Sequence, residues 1–444
     1  MAIRYRKNIY PNRRQFLSTV SAAGFAAGFE IPTSQQNTGD PLLFIDDAAD
    51  LSLLQQIIRI RSYSGGGEEG KLAEFLAEQM KALGLETQLM EVEPGRYNAI
   101  GFLQGRGGSG GQSLMLNGHI DTNPIGIGWT VDPLAATTRD GFVFGIGASN
   151  MKATCASFYG AARALTRAKR RLNGDLLITY VVGELQQGIG TLKLIDEGVV
   201  ADTFIVGEPT DLAVLTLHAA TLTVEIDTFG VTRHLSKMEE SVSAIDLMVK
   251  VIARIKDMKF SGPNNPEYAS VRRVNIGSMK AGLGHEYHDW RPGQVPDVAT
   301  IKMSVRFGPE QSEETVLADL RQELEKLKHE EPRLQAEVRS IKPSGLVRRG
   351  LSPRAFQANK DAPIVKSVVA NHTKIRKFAP EVGAVPPMRY YGSDASHLQH
   401  LAGMTGIVCG VGGKYNTMPD ERIEIPMFYD STRIWTLTAL DICK

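Results

Sequence analysis

After Asp47 the chain alternates between short apolar segments and amphipathic segments, and this alternation limits the folds that it can adopt. Segments with apolar residues three and four positions apart predict helices, whereas short, continuously apolar segments predict buried strands. Strands that alternate with helices are typical of an α/β fold with a mainly parallel, mixed sheet, and we predict that fold class. The predicted helices are 51–60, 70–83 and 153–167, and the predicted strands are 114–116, 176–182 and 203–206.

The pattern changes at about Leu217. From there to about Lys342 the predicted order is strand, helix, strand, strand, helix, strand, which is the order of a ferredoxin-like α+β unit. The α/β pattern then returns and continues to a predicted final helix at 430–440. We therefore predict one larger domain, formed by residues 47–216 and 343–444, into which a smaller domain of residues 217–342 is inserted.

Residues 1–46 differ from the rest and predict an export signal rather than part of the fold. Basic residues precede a short run that is rich in small and mildly apolar side chains. The stretch Arg13-Arg14-Gln15-Phe16-Leu17 resembles a twin-arginine signal, which predicts a periplasmic or secreted protein. A basic tail that contains an arginine pair by coincidence is the alternative. Membrane association is expected only through an uncleaved signal.

The balance of charge narrows the class of partner. The chain has 50 Lys and Arg residues against 49 Asp and Glu residues, so it lacks the basic excess of a nucleic-acid-binding protein. We therefore expect no nucleic-acid partner, and we expect a small molecule as the substrate.

Polar residues follow three successive predicted strands at the point where each strand ends. His119 and Asp121 follow the first, Glu184 the second and Glu208 the third. Ligands of open α/β sheets bind at the carboxyl ends of the strands, so these side chains are expected on one edge of the sheet. There an aspartate can fix the tautomer of a histidine whose other nitrogen binds a metal. The alternative is a His–Asp pair that has only a local structural role.

These residues lie within motifs that resemble the M20 family of co-catalytic zinc peptidases and deacylases. The resemblance covers almost all of residues 47–444 and includes an inserted lid that also serves for dimerisation. The motifs that carry it include Trp129 with Asp132-Pro133, Ser149-Asn150-Met151-Lys152, Gly207-Glu208-Pro209-Thr210, Arg233-His234, Gly392-Ser393-Asp394 and Pro419-Asp420-Glu421.

The resemblance implies a role for each matching residue. His119 matches a zinc ligand, Asp121 matches the aspartate that orients it, and Glu208 matches a carboxylate ligand of the same metal. Glu184 matches the general base that acts on the metal-bound water. His234, on the lid, matches the histidine that reaches the active site of a partner subunit, so the resemblance also implies a homodimer.

The chain departs from the family pattern at several of these positions. Asn150 stands where the family has a metal-bridging aspartate, Leu185 where it has a second glutamate ligand, and Thr417 where it has the last histidine ligand. Gly293 stands at the position of a lid asparagine that helps to bind the oxyanion. All ligands of one zinc are therefore replaced. At most one Zn²⁺ or Mn²⁺ is expected, held by His119, Glu208 and, weakly, Asn150, and a protein without metal is also compatible with the sequence.

Other polar residues are candidates for substrate binding. Arg291 lies in an aromatic and basic stretch of the smaller domain, and an arginine there can bind a carboxylate. Asp394 is the second candidate. Two pairs of closely spaced histidines, His285 with His288 and His397 with His400, are either alternative metal ligands or solvated side chains.

Three functions fit these observations. The first is an exported hydrolase of amide or peptide C–N bonds in small N-acyl amino acids or dipeptide-like substrates, with at most one catalytic metal. The second is a metal-free hydrolase, lyase or isomerase that uses Glu184 with His119 or His234. The third is a catalytically silent binding protein. Since five functional residues of the family are retained, we predict the hydrolase, with its dependence on metal left open.

Overall fold

Two large sheets, of eight and four strands, organise the part of the chain that the structure describes, and a three-stranded and a two-stranded sheet accompany them. The structure is a computed structural model, and it describes residues 39–107, 111–262, 265–342 and 352–444. The strands are β1 (Glu86–Glu93), β2 (Arg96–Leu103), β3 (Leu114–His119), β4 (Thr138–Arg139), β5 (Phe142–Phe144), β6 (Leu176–Val181), β7 (Thr203–Val206), β8 (Val214–Leu215), β9 (Leu217–His218), β10 (Ala220–Phe229), β11 (Arg273–Gly282), β12 (Val298–Phe307), β13 (Gln335–Ile341), β14 (Phe356–Gln357), β15 (Val382–Gly383), β16 (Thr405–Val408) and β17 (Arg422–Glu424).

Ten helices accompany these strands in the described ranges, together with four short helical turns. The helices are α1 (Asp47–Arg59), α2 (Glu69–Ala82), α3 (Ala153–Arg167), α4 (Ile189–Asp196), α5 (Ala244–Asp257), α6 (Pro266–Ala269), α7 (Glu313–Glu330), α8 (Pro363–Arg376), α9 (Ala395–Ala402) and α10 (Ile425–Ile442). The short turns are Pro41–Phe44, Ala148–Lys152, Leu235–Glu240 and Met388–Tyr390. Within the described ranges, no helix combines the length and the apolarity that a membrane crossing needs.

The larger sheet is mixed and has a parallel centre, as the sequence predicts. Its order is β1-β2-β6-β3-β7-β16-β8-β15. Strand β3 runs parallel to both β6 and β7, and β16 runs parallel to β7. These four strands are almost entirely buried, which explains why apolar residues predominate in them. Because they run in the same direction, the segments that follow them all leave the sheet at one edge.

Helix α3 packs against this sheet and fixes one side of that edge. Thirteen of its fifteen residues are buried, and many of these are Ala, Gly or Ser, so neighbouring elements approach it closely. Phe158 packs edge-on against Trp435 of α10, with 5.7 Å between the ring centres. The indole nitrogen of Trp435 donates a hydrogen bond of 3.0 Å to Ser157 Oγ. The turn before α3, which carries Asn150, is therefore anchored on a rigid, buried helix.

The smaller sheet has four antiparallel strands in the order β11-β12-β10-β13. In the chain these strands and helices α5 and α7 follow the predicted strand-helix-strand-strand-helix-strand order, with the short helix α6 in addition. Leu222, Ile301 and Leu320 belong to a separate apolar core between this sheet and its helices. The domain boundaries at 217 and 342 stay predictions, and residues 343–351, where the larger domain is predicted to resume, lie outside the described residues.

Candidate active site

The polar residues predicted at the strand ends converge, as expected from the parallel strands. His119 ends β3, Glu184 follows β6, and Glu208 follows β7. Each offers one ligand atom, and these atoms all lie within 4.8 Å of one another. His119 Nε2 is 3.8 Å from Glu208 Oε1. His119 and Glu208 are buried, whereas Glu184 is half-buried and lines the adjoining cleft.

Asp121 holds two of these elements together. Its Oδ1 accepts the backbone N–H of Glu184 and its Oδ2 that of Leu185, each at 3.1 Å. The same Oδ1 lies 3.5 Å from Nδ1 of His119. Burial alone raises the pKa of Asp121, but the hydrogen bond and charge of His119 outweigh it, so the carboxyl pKa is lowered. The carboxylate of Asp121 therefore contacts both the histidine ring and the turn that carries Glu184, and its role in orienting the histidine stays a prediction.

The hydrogen bonds of His119 leave its outer nitrogen, Nε2, facing an oxygen atom of Asn150. Nδ1 lies 2.9 Å from the backbone oxygen of Asp121, so it carries a hydrogen. Nε2 lies 2.9 Å from Asn150 Oδ1, so in a neutral ring two acceptors would face each other. Three changes relieve this contact: protonation of the ring to an imidazolium, rotation of the Asn150 amide, or a cation bound by both atoms. Burial opposes protonation, but Asp121 and Glu208 raise the pKa of His119 well above its usual range.

The donor set fits one divalent ion. Glu208 Oε1 is buried and has no hydrogen-bond partner, which is costly for a carboxylate unless a cation is bound. Two ligands that each bind zinc at about 2.0–2.2 Å in a tetrahedral arrangement are roughly 3.4 Å apart. The separations of His119 Nε2 from Asn150 Oδ1 and from Glu208 Oε1, 2.9 and 3.8 Å, bracket that value. His119, Glu208 and Asn150 would therefore hold the ion, and Leu185 and Thr417 supply no strong ligand for a second one.

The acidity of the two glutamates follows from their surroundings. Burial raises the pKa of Glu184 well above its usual range; the charge of Glu208 raises it further, whereas that of His119 lowers it. Burial also raises the pKa of Glu208, and the charge of His119 opposes this shift. A carboxyl group whose pKa is raised can accept and return a proton near neutral pH, which is what a general base requires.

Glu421 anchors the turn that carries Asn150, a role that the sequence did not reveal. Its carboxylate accepts the backbone N–H groups of Gly147, Ser149 and Asn150 at 3.2, 2.9 and 2.8 Å. Burial raises its pKa to about 7, although these hydrogen bonds and the charge of Lys152 lower it. The sequence Pro419-Asp420-Glu421 matches a family motif but does not indicate this contact, which joins segments 271 to 274 residues apart.

A cleft of about 290 Å³ adjoins the converging residues, and a cationic side chain of the second sheet lines it. Arg306 of β12 lines it, and so does Glu184. Burial lowers the pKa of Arg306, and the charge of Glu184 opposes that shift. Gly392 permits the close approach of its loop to the smaller sheet, because a Cβ at this position would lie 2.0 Å from Thr221 Oγ1 and 3.0 Å from Arg306 Nη1. An arginine within an alternating strand gave no functional signal in the sequence.

The remaining predicted site residues lie in different places. Asp394 lines the cleft, and its Oδ2 accepts a hydrogen bond of 2.8 Å from Thr191 Oγ1. His234 and Arg291 are exposed and are not among the residues that line the cleft of their own chain. Nδ1 of His234 instead contacts Ser236 Oγ at 3.0 Å. The role of His234, which requires a second copy of the chain, and the substrate-binding role of Arg291 therefore stay predictions.

The closely spaced histidines do not form a metal site among the described residues. Nε2 of His397 lies 3.0 Å from the backbone oxygen of Gln187, and Nε2 of His400 lies 2.8 Å from that of Ala355. The two rings of this pair thus contact different segments. His288 is near Glu286, at 3.3 Å, on the surface of the smaller unit.

Comparison with known proteins places these features in a family. The model of peptidase family M20/M25/M40 matches residues 115–441. The N-formyl-4-amino-5-aminomethyl-2-methylpyrimidine deformylase of Bacillus subtilis is 24% identical over 379 residues, which cover 81% of this chain and 86% of the deformylase. The succinyl-diaminopimelate desuccinylase of Pelagibacter ubique is 21% identical over 407 residues, covering 87% of this chain and 97% of that enzyme.

The fold agrees with that of solved structures. The M20 family metallo-carboxypeptidase of Sulfolobus solfataricus superposes with a TM-score of 0.70 at 18% sequence identity. The superposition covers 88% of this chain and 99% of the carboxypeptidase, so both sheets fall within a shared architecture.

Proposed function

The chain belongs to peptidase family M20/M25/M40, and we propose that it hydrolyses an amide or peptide C–N bond in a small substrate that carries a carboxylate. Relatives named as a deformylase and a desuccinylase act on C–N bonds, which supports the reaction class. The carboxylate follows from Arg306, because a guanidinium in a cleft binds a planar anion through paired hydrogen bonds.

The observation that carries the proposal is the convergence of His119, Glu184 and Glu208 beside that cleft. A nitrogen ligand, an unpartnered buried carboxylate oxygen and a second carboxyl of raised pKa provide a metal-binding corner and a base next to each other. A silent binding protein has no need for this combination. The arrangement therefore favours a hydrolase over the binding protein.

The residues divide the work of the reaction. A divalent ion held by His119, Glu208 and Asn150 would polarise the scissile carbonyl and make a bound water more acidic. Glu184 accepts the proton of the attacking water and returns it to the nitrogen of the leaving amine. Asp121 keeps the His119 ring and the Glu184 backbone in place. Arg306 binds the substrate carboxylate and thereby orients the amide over Glu184.

A metal-free hydrolase is the second candidate, because Leu185 and Thr417 stand where the family resemblance implies metal ligands. Elemental analysis of protein purified without added metal separates the two candidates. About one Zn or Mn per chain, with activity lost in chelator and restored by metal, supports the one-metal enzyme. Metal-poor protein whose activity survives chelator supports the second candidate.

Glu184→Gln tests the proposed base. Gln keeps the size of the side chain but cannot accept the proton, so we expect kcat to fall by about 100-fold or more. Glu74→Gln, on the exposed face of α2, is the matched control and should leave kcat unchanged. Turnover of N-acyl amino acids and dipeptides that is unaffected by Glu184→Gln would contradict the assignment.

We also propose export through residues 1–46, which lie mostly outside the described residues, and a homodimer formed through the smaller unit. Large apolar side chains exposed on α5 and on the edge strand β11 support the dimer: Ile245, Val249 and Met279. A dimer would allow His234 to approach the site of a partner. A monomer by light scattering at micromolar concentration would remove that role, and protein that stays in the cytoplasm after expression of the full chain would contradict export.

A further inference from the structure

A second, smaller cavity opens beside the proposed reaction centre. Its volume is about 160 Å³. It shares Asn150, Leu185 and Thr417 with the cleft of about 290 Å³ described above, here called the main cleft. Its outer wall includes Ile127, Trp129 and Met418. Any group that reaches this cavity from the main cleft therefore passes directly beside Asn150.

The apolar side chains around this cavity are unusually open to solvent. Ile127 is 96% exposed, Met418 45% and Leu185 36%. Apolar side chains scattered singly on a surface are ordinary, but a group of them around a concave site marks a binding site.

The carboxylate in the same wall is already hydrogen-bonded to the backbone. Glu421 is the one acidic residue among the described residues that line the cavity, and three backbone N–H groups bind its carboxylate. Leu185 and Thr417 occupy positions where the resemblance implies ligands for a second metal, and neither provides a charged donor. The cavity therefore offers a cation little, whereas it offers an apolar group several contacts.

We propose that this cavity binds an apolar substituent of the substrate, a phenyl ring or a branched alkyl chain, while the scissile amide lies at Glu184. The inference rests on the proposed hydrolase function and specifies its substrate class. A cavity of roughly 150 Å³ lined by apolar side chains is known to accept benzene, so a volume of about 160 Å³ suits a group of that size. In the preferred substrate, Arg306 binds the carboxylate and the cavity binds the apolar group.

Binding to the Glu184→Gln variant, in which turnover is expected to be about 100-fold slower or more, tests this inference. The probes are N-acetylglycine, N-benzoylglycine and N-acetylphenylalanine, which share the amide and the carboxylate and differ in where a phenyl ring is attached. We expect at least one of the two aromatic probes to bind about 10-fold or more tightly than N-acetylglycine by calorimetry. It should also change the fluorescence of Trp129, which lines the cavity.

Met418→Gln provides the discriminating variant, because it keeps the length of the side chain but makes the wall polar. Introduced into the Glu184→Gln background, it should reduce the 10-fold preference to about 3-fold or less. Leu43→Gln is the matched control: Leu43 is 81% exposed and does not line either cavity, so the preference should persist.

The outcomes separate the two proposals. Equal binding of all three probes, no binding of any, or a preference unchanged by Met418→Gln would overturn the apolar site, whatever the enzyme hydrolyses. A preference that depends on Met418, in a protein that hydrolyses none of a broad panel of amides, would support the apolar site and refute the hydrolase.

Discussion

Replacement of Asp121 by Asn tests whether one buried carboxylate organises the site. The Asp121 carboxylate accepts the backbone N–H groups of Glu184 and Leu185 and contacts His119. Asn is nearly the same size, but one of its two terminal atoms is a donor. Wherever the amide nitrogen is placed, it faces an N–H group, so one of these contacts becomes repulsive.

The expected loss of stability follows from these contacts. A donor left without an acceptor costs about 1–3 kcal/mol, and the remaining hydrogen bond loses roughly 1 kcal/mol when its acceptor is no longer charged. The free energy of unfolding of Asp121→Asn should therefore be about 2–4 kcal/mol lower than that of the wild type at pH 7. In metal-loaded protein, affinity for the ion should also fall about 10- to 100-fold, because His119 loses its orienting partner.

The difference in the free energy of unfolding between wild type and Asp121→Asn depends on pH in a defined direction. The pKa of Asp121 is lowered in the folded protein, because the hydrogen bond and charge of His119 outweigh the effect of burial. The stability that the carboxylate provides is thus fully present above its unfolded pKa of about 3.9 and is lost as the pH falls through the folded value. The gap between wild type and Asp121→Asn should narrow below about pH 4.

Urea unfolding of chelator-treated proteins at pH 7 and pH 3.5 measures this gap. Asp140→Asn serves as the control, since Asp140 is exposed and an Asn tolerates its positive φ of 52°. A loss below about 1 kcal/mol at pH 7, or a gap that widens in acid, would refute the view that this carboxylate holds Glu184 and His119 together.

Three further predictions address other parts of the molecule. Arg306→Met should lower kcat/KM for carboxylated substrates by about 10- to 150-fold, because the charged hydrogen bonds to the carboxylate are lost. Substrates whose carboxylate is replaced by a carboxamide should change little, and equal effects on both substrates would contradict the assignment of Arg306 as the carboxylate-binding residue. Glu421→Gln should lower the free energy of unfolding by about 1–3 kcal/mol, measured in urea, since an amide cannot accept all three N–H groups that the carboxylate accepts. Burial raises the pKa of Asp50 to about 7, although Arg163 opposes this, so the Asp50 carboxyl loses its proton first in the unfolded state as the pH rises. The contribution of Asp50 to the free energy of unfolding therefore falls between about pH 4 and 7, by up to roughly 4 kcal/mol. Asp50→Asn lacks this group and should show a flatter profile in urea unfolding across that range; an unchanged slope would contradict the prediction.

The fold and the residues at the strand ends could be predicted because each carries a local signal. Leu176–Val181 and Thr203–Val206 are short and continuously apolar, and a polar residue follows each, so the pattern alone places Glu184 and Glu208 at one edge of the sheet. The hairpin of β1 and β2 was missed. Exposed Leu89 is apolar and Gln88, on the face of buried Met90, is polar, so the apolar/polar alternation from which a half-buried strand is recognised is broken in β1.

The contacts that complete the site could not be predicted, because they join segments that are distant in the chain. Arg306 enters the cleft only through the packing of the second sheet against the Gly392 loop. Glu421 reaches the Asn150 turn across 271 residues. A single sequence contains no signal for either contact, since an arginine in a strand and a glutamate before a short strand are both ordinary surface residues.

The geometry explains how the side chains in two turns of the site can differ from the family pattern while the backbone of those turns stays in place. Asp121 binds the backbone N–H of Leu185, not its side chain. A different side chain at position 185 therefore leaves the turn, and with it Glu184, in place. At position 150 the turn is held in the same way, because Glu421 binds the backbone N–H of Asn150. Since a backbone contact fixes the turn at position 185, an apolar side chain there can face the smaller cavity without displacing Glu184.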